Sequence, residues 1–335
     1  MAKTIVGLEV TEESVRAAEV SLGRKPQLVA YGEVPLPPES AKDSEVIDQG
    51  AVAVALRQLW TGARFKSKDV VLGLASRRIL VREYTTQVMR ADLLRDALPY
   101  QVQDLLPVPA SQAVLDFYPL AEHDGQVSGL LVAAVAENVE QIIATLSRVK
   151  LRARAVDLAA FGLGRVTAPL ANADETVASV NIGDHTTQVV VSRGGIPQFV
   201  RLLPVDVPTT ATQRHAVADE FAQAPSLEYA SAASTRPRGA MRSSASPGVS
   251  DLAARLRSTL AFFASRPNAT ALSQVFVTGA GIAIEGMLPA LAAAVDTPLR
   301  VVNVEDVIGM SAASPGGEFG LNLVGTVGIA TGGGR

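Results

Sequence analysis

The chain has 335 residues, of which 48% are hydrophobic and 19% charged, so a sizeable core can form and global disorder is excluded. The 30 Lys and Arg nearly balance the 33 Asp and Glu, giving a formal net charge of −3, which argues against a dedicated nucleic-acid binder with a basic stripe. Cysteine is absent, which excludes disulfides, thiolate zinc sites and cysteine nucleophiles. The histidines His123, His185 and His215 show no metal-ligand spacing, and no metal site is predicted.

No segment of the sequence is suited to crossing a membrane. The longest apolar run, residues 130–136, is far shorter than the roughly 20 residues that a membrane-spanning helix needs. Residues 1–6 lead directly into a strand pattern, so no signal peptide is expected. The last residues, 330–335, cannot form an amphipathic membrane helix, and any membrane link is expected to go through a partner.

The first half of the chain predicts a three-stranded β-meander followed by a β/α module, because period-2 apolar patterns give way to alternating strand and helix patterns. In chain order, the predicted elements are strands 4–10, 14–21 and 27–34, a helix over 48–61, strands 69–74 and 79–84, a helix over 90–106 that Pro99 must bend or divide, strands 113–119 and 127–136, a helix over 137–150, a strand 152–157 and a helix over 158–166.

The second half opens with another predicted meander, at strands 175–182, 186–192 and 197–203. Residues 222–249 are rich in Ala, Ser, Pro and Arg and are predicted to form a mobile, loosely ordered insertion. After it come a helix over 250–266, a strand 274–278, a glycine-rich turn, a helix over 285–295 and a short strand 299–302. The tail, 332–335, is expected to fray.

The two meanders match in their turn chemistry. Residues 9–14 and 181–186 both read as strand, tight polar turn, strand. Each copy continues to a glycine-bearing turn followed by a proline, Pro26 in the first and Pro197 in the second. Chance similarity of two hairpins stays an alternative, but the matched turns favour duplication. Two related domains are therefore predicted, with the paired turns meeting across a ligand-binding cleft.

The second of these turns has residues suited to an anion. Gly183 lets the backbone approach a phosphate closely and tolerates a positive φ, and the N–H groups of residues 184–187 can form an anion-binding nest. Taken alone, this turn is better explained as an ordinary hairpin. A glycine-rich turn at 278–281 strengthens the anion hypothesis, because it follows a strand and precedes the helix containing Gly286.

These residues resemble the actin-like ATPase superfamily and, more specifically, the PilM family of type IV pilus assembly proteins. The segment QVQDLLPVP at 101–109, followed by AVLDF at 113–117, is the most specific part of the resemblance. The other matching stretches are residues 6–10, 156–158, 181–187 and 277–281.

The resemblance implies an α/β actin-like ATPase fold with two duplicated meander/α domains around a cleft and an inserted small β/α subdomain. The implied boundaries are residues 1–34 and 151–172 for the first domain, 35–150 for the inserted subdomain, and 173–335 for the second domain with its flexible segment at 222–249. The implied nucleotide-binding residues are Glu9, Ser14, Asn181, Gly183, Asp184, His185, Thr186, Thr187, Thr278, Gly279, Gly281 and Gly286.

The resemblance also implies a cofactor and partners. ATP with Mg²⁺ is the implied cofactor. The implied partner is the short N-terminal peptide of a PilN-like membrane protein, held in a groove between subdomains, together with other proteins of the pilus platform. This places the chain in the cytoplasm, peripheral to the inner face of the cell membrane.

Three departures from the superfamily pattern weaken the ATP expectation. The first phosphate loop reads Thr11-Glu12-Glu13 in place of a glycine and small hydroxyl residues, and its two carboxylates oppose phosphate binding. Asn181 stands where a carboxylate is usual, and a Gly-Gly pair after the second meander is missing from residues 203–208. ATP affinity is therefore predicted to be weak or absent and hydrolysis negligible.

The sequence favours a scaffold that binds a peptide and is not an enzyme. A small-molecule kinase or active ATPase of the same superfamily is the first alternative, and the changed first loop argues against it. An FtsA-like filament-forming cell-division protein is the second, and the missing C-terminal membrane helix argues against that.

Overall fold

The computed structural model describes residues 3–214, 246–267 and 269–332. The first of its two large sheets has six strands: β1 (Thr4–Val10), β2 (Ser14–Ser21), β3 (Gln27–Pro35), β6 (Asp69–Leu74), β10 (Arg152–Leu158) and β16 (Gly309–Met310). Their order is β10-β6-β1-β2-β3-β16. The predicted meander forms the antiparallel part, and β6 pairs parallel with β1.

The second sheet repeats this plan. Its strands are β11 (Thr176–Ile182), β12 (Thr186–Arg193), β13 (Ile196–Pro204), β14 (Leu272–Thr278) and β15 (Leu299–Val301), in the order β13-β12-β11-β14-β15. Strand β14 lies parallel to β11, as β6 lies parallel to β1. The first hairpin closes with Val10 opposite Val15, and the second with Ile182 opposite Thr187.

A third sheet and a small hairpin lie between these meanders in the sequence. The third sheet consists of β7 (Leu80–Gln87), β8 (Ala113–His123) and β9 (Gln126–Val135), in the order β7-β9-β8. Helix α2 (Ala91–Gln101) packs on it, and Leu98, Phe117 and Leu131 belong to their shared apolar cluster. The small hairpin consists of β4 (Ala41–Lys42) and β5 (Glu45–Val46).

The remaining helices cover the two large sheets. They are α1 (Gln49–Gly62), α3 (Ala136–Arg148), α4 (Ala159–Thr167), α5 (Pro247–Ala264), α6 (Met287–Ala294), α7 (Val304–Val307) and α8 (Gly317–Gly332). Helices α1 and α3 share a core with the first sheet, and α5 and α6 share one with the second. Helices α4 and α8 lie between the sheets, where residues of both sheets join them in one core. Because both faces are covered, β1 and β11 are buried and read as nearly continuous apolar runs.

Helix α8 is the main element that the sequence analysis missed. Its residues 320–330 are buried all round, so it has no polar face and shows no amphipathic period. It also contains several glycines, which are poor helix formers. One of them, Gly328, lies so close to Gly162 of α4 that an added Cβ would sit 2.3 Å from the Gly162 carbonyl oxygen.

Two other expectations need correction. The helix predicted over 90–106 ends at Gln101, just after Pro99, and a 3₁₀ turn, Gln103–Leu105, follows it. Residues 222–245 of the predicted flexible segment lie outside the described residues, but residues 247–249 already belong to α5. Pro247 does not break this helix, because it stands in the first turn, where proline is well tolerated. Residues 333–335 of the predicted fraying tail are also outside the described part.

The predicted domain boundaries stay a prediction, but sheet pairing bears on the extent of the insertion at 35–150. Within that range, β6 is hydrogen-bonded between β1 and β10. Helix α1 packs its buried Leu56 and Leu59 into the core of the first sheet. The third sheet, which is separate, spans only residues 80–135. Among the helices of the described residues, none is long and apolar enough to cross a membrane.

Candidate functional site

The turns that close the first hairpin of each large sheet meet across a cleft. We call residues 11–13 the first loop and residues 183–185 the second loop. The cleft between them encloses about 600 Å³ of empty space, counting the part open to solvent. The paired turns therefore face each other, as the duplicated sequence pattern predicts.

The first loop is closed by its own hydroxyl group. The Thr11 Oγ1 atom accepts hydrogen bonds from the backbone N–H groups of Ser14 at 3.0 Å and Glu13 at 3.3 Å. The Ser14 hydroxyl donates to Glu33 at 2.5 Å. Two amides that a phosphate would need as donors are thus used inside the loop, which is the behaviour expected of a Thr-initiated turn.

The two glutamates of the first loop form hydrogen bonds with residues outside the loop. Glu12 Oε1 accepts from the backbone N–H of Asp43 at 3.1 Å. Glu13, which is buried, binds the second loop, because its Oε1 lies 2.8 Å from Nε2 of His185. The first loop is therefore joined to the second loop and to the β4–β5 hairpin by carboxylates.

His185 is held between acidic groups. Its Nδ1 lies 2.8 Å from Asp206 Oδ1, and its Nε2 lies 3.9 Å from Glu12 Oε2 as well as 2.8 Å from Glu13. The hydrogen bond to Glu13 is the largest influence on the imidazole and outweighs its burial; with Asp206 and Glu12 it raises the pKa of His185 to about 9. A doubly protonated ring that donates from both nitrogens is the consequence at neutral pH.

Arg16 lines the floor of the cleft. Its Nη1 donates to the backbone oxygen of Asn322 at 3.1 Å, and its Nε lies 3.4 Å from Glu33 Oε1. Burial acts to lower the pKa of this guanidinium, but the nearby carboxylates of Glu33, Glu9 and Asp184 outweigh burial and raise it. The charge of Arg16 is thus already balanced by the protein.

The second loop is shaped by close backbone contacts. Gly183 does not use the positive φ that glycine tolerates. The loop needs glycine for space, because a Cβ at this position would lie 2.9 Å from the Thr186 carbonyl oxygen. The buried Asp184 accepts from the Thr209 hydroxyl at 2.5 Å. Among the described residues, the buried Oδ1 of Asn181 has no hydrogen-bond partner.

The glycine-rich turn after β14 contacts Asn181, which lines the cleft, and the helix α8. Gly279 has a φ of 93° and lies so close to Asn181 that an added Cβ would be 2.4 Å from the Asn181 Oδ1 atom. The Thr278 hydroxyl lies 2.8 Å from the backbone oxygens of both Val302 and Leu321. Asn322 Oδ1 accepts from the Ala280 N–H at 2.7 Å. The turn is therefore fastened to α8.

The structure brings together part of the predicted site. Six predicted residues line the cleft: Glu9, Asn181, Gly183, Asp184, His185 and Thr186. The others do not line it: Ser14, Thr187, Thr278, Gly279, Gly281 and Gly286. Ser14 donates to Glu33, Thr187 is fully buried, and Gly281 packs on Ile182. Gly286 caps the N-terminus of α6.

Sequence reasoning missed Arg16 and Asn322. A charged residue inside the buried pattern of β2 was the available signal for Arg16. Nothing local pointed to Asn322, because the helix that carries it was not predicted.

The residues of the cleft do not fit a nucleoside triphosphate. Four carboxylates line it, from Glu9, Glu12, Asp43 and Asp184, against the cations Arg16 and His185. Both cations are engaged with carboxylates, and the Glu13 and Ser14 amides with Thr11. A phosphate chain would have to displace these bonds and also meet like charge.

A second concave surface lies between the third sheet and the first sheet. We call it the apolar groove and define it by Leu74, Ile79, Val114, Val156 and Phe161. It encloses about 1000 Å³, counting space open to solvent. Val114 and Val156 are 47% and 39% exposed there. Because they lie with other apolar side chains in one concave surface, they mark the groove as a candidate binding surface.

Two sheets of the same plan, facing each other across a cleft with helices on both faces, define the actin-like ATPase fold. The sequence model of the family described as type IV pilus assembly protein PilM matches residues 7–317. The chain therefore belongs to the PilM family of type IV pilus assembly proteins.

Solved structures agree with this assignment at the level of the fold. The chain is similar to the structure of the PilM-PilN type IV pilus biogenesis complex, with a TM-score of 0.81, 22% identity and 100% coverage of both chains. It is more distantly similar to the ethanolamine utilization protein EutJ from Carboxydothermus hydrogenoformans, with a TM-score of 0.51, 11% identity, and coverage of 98% of this chain and 90% of that one.

Proposed function

We propose that this protein is a scaffold of the type IV pilus assembly platform that binds the short N-terminal peptide of a PilN-like membrane protein. The family match over residues 7–317 carries the proposal. The similarity of the whole chain to PilM in a complex with PilN supports it. Through this partner the protein would be held at the inner, cytoplasmic face of the cell membrane.

The apolar groove is the proposed docking place for the peptide. It is lined by side chains from the third sheet, such as Val114, and from the first sheet, such as Val156. A groove between two sheets suits an extended peptide, whose side chains need pockets and whose backbone needs hydrogen-bond partners. The role requires no catalytic carboxylate, so it is compatible with a cleft in which the Glu13 and Ser14 amides of the first hairpin are already bonded.

The cleft itself is proposed to bind ATP with Mg²⁺ weakly or not at all. The engaged loop amides and the carboxylates Glu9, Glu12 and Asp184 support this proposal. No observation favours the alternatives of a small-molecule kinase or an FtsA-like filament former.

Fluorescence anisotropy with labelled N-terminal tails of candidate membrane proteins tests the proposed function. We expect one tail to bind with modest affinity, because ordering a flexible segment costs about 2–5 kcal/mol of the gross interaction.

A matched pair of variants locates the site. Val114→Asp, at the groove, should abolish binding, whereas Ile196→Asp, on β13 with a similar exposure of 46%, should leave it unchanged. If no tail binds at high protein concentration while the protein associates with bare lipid vesicles, the proposal is wrong.

A further inference from the structure

Within residues 3–214, 246–267 and 269–332, no strand pairs with the second edge of β8. Strand β8 pairs with β9 on one side, and in the order β7-β9-β8 it is the last strand of its sheet. A free strand edge presents unpaired N–H and C=O groups, which form a template for another strand. The residues that flank this edge decide what it can accept.

The hairpin turn fixes which backbone groups of β8 point outward. His123 pairs with Gln126 across a two-residue turn, Asp124-Gly125, with φ values of 50° and 73°. In such a turn the flanking residues form a hydrogen-bonded pair. Further along the two strands, hydrogen-bonded pairs alternate with non-hydrogen-bonded pairs. When the irregularity between Pro119 and Ala121 is taken into account, Leu115 and Phe117 belong to non-hydrogen-bonded pairs. Their N–H and C=O groups therefore face away from β9.

Two local features agree with this assignment. The Phe117 N–H is bonded at 2.9 Å to the carboxylate of Asp116, its own neighbour, as expected for an edge amide. Pro119 has no N–H and falls at an outward position, where strands tolerate proline. The open edge therefore extends over residues 115–117 and stops at Pro119.

Pockets lie on both sides of this edge. On one side is the apolar groove, and on the other a pocket of about 880 Å³, counting open space, between α2 and the third sheet. Leu94, Leu98 and Val127 line this α2 pocket. Arg95, Leu115 and Asp116 line both concave surfaces, so the two surfaces are continuous across the edge of β8.

We propose that the partner peptide adds to β8 as a further strand, hydrogen-bonded to the backbone of Leu115 and Phe117. The proposal rests on the proposed function, since it specifies how that peptide is held. Successive side chains of a strand point to opposite faces. One set of alternate peptide side chains thus enters the apolar groove and the other the α2 pocket.

This geometry defines the chemistry of the occupant. It is an extended segment of about five residues, with apolar side chains two positions apart and no proline where a peptide N–H must meet β8. The Arg95 guanidinium, at the junction of the two surfaces, is placed to bind a carbonyl or carboxylate of the segment. Asp116 releases the Phe117 N–H when the peptide binds, which keeps the affinity modest.

Peptides methylated at single backbone nitrogens test this proposal. In an added strand, only every second peptide N–H points to β8. Methylation at those positions should weaken binding by on the order of tenfold each, since a hydrogen bond is lost without replacement. Methylation at the intervening positions should change the dissociation constant by less than about threefold. Residue-resolved hydrogen exchange should show slower exchange at the Leu115 and Phe117 amides when the peptide is present.

The outcomes separate this inference from the proposed function. If the unmodified peptide does not bind the wild-type chain, the proposed function itself fails. If it binds but methylation shows no alternation, strand addition is wrong and the peptide is held by its side chains. If the chain alone forms a dimer that Val114→Asp dissociates and Ile196→Asp does not, the edge belongs to a second copy, which also overturns strand addition by the peptide.

Discussion

His185 joins two loops that are 172 positions apart in the sequence. Its sequence context, a glycine, an aspartate and two threonines, is typical of a polar hairpin turn and predicts the loop correctly. The partner of the ring could not be predicted, because nothing in that context indicates Glu13. As a result, the charge of the protonated His185 is paired with the protein's own carboxylates, at the loop where the sequence suggested binding of an external anion.

The pKa of His185 predicts a stability that depends on pH. The pKa is about 9 in the folded protein and about 6.5 in an unfolded chain. The stabilisation is therefore fully present below about pH 6.5 and is lost as the pH rises through about 9. The full shift corresponds to about 3 kcal/mol, and screening at the exposed Asp206 lowers our expectation to about 1–2 kcal/mol.

Denaturation by urea at pH 6.5 and pH 10 measures this effect. The free energy of unfolding of the wild type should fall by about 1–2 kcal/mol more than that of His185→Gln over this range. His123→Gln is the matched control, because the His123 side chain is 89% exposed and should behave like the wild type. An equal fall in the free energy of unfolding for the wild type and His185→Gln would show that the imidazole does not stabilise the contact between the two loops.

At the scale of elements, the crossing of α4 and α8 sets how closely the two sheets approach each other. The helices touch backbone to backbone at Gly162 and Gly328. The sequence shows these glycines but gives no reason for them, since glycine usually weakens a helix. Only the contact explains why side chains are missing there.

Gly328→Ala should destabilise the protein by about 2–3 kcal/mol, because the new methyl group meets the Gly162 carbonyl and forces the helices apart. The matched control is Gly62→Ala in α1, where an added Cβ has nothing within 4 Å. This control should be neutral or stabilising by up to about 1 kcal/mol. Thermal denaturation compares the two variants with the wild type, and an equal effect of both would contradict the close crossing.

At the scale of the whole molecule, the two halves enclose a cleft that is bridged by hydrogen bonds between the protein's own residues. Glu13 reaches the second half at His185, and Arg16 reaches α8 at the Asn322 carbonyl. These bonds join the two halves directly and occupy both cations of the cleft. We therefore expect the cleft to have little affinity for phosphate.

Isothermal titration with ATP and Mg²⁺ should detect no binding in the sub-micromolar range. Glu12→Gln removes one carboxylate from the cleft and should raise any measurable affinity by severalfold, since like-charge repulsion falls. Glu140→Gln, on the exposed surface of α3, removes the same charge elsewhere and should have no effect. Tight binding to the wild type, or robust phosphate release, would contradict the proposal.

The sequence by itself determined the strands, most helices and the duplication, because period-2 and period-3.6 patterns and turn residues act over a few neighbours. It also determined the positions of both loops, since Gly183 and Thr11 are read locally. Tertiary structure decided the rest. Helix α8 has no local signal because it is buried all round, and Asn322 became part of the cleft only through that helix. The pairing of Glu13 with His185 and the free edge of β8 depend on which segments meet in space, and local patterns carry no record of such long-range contacts.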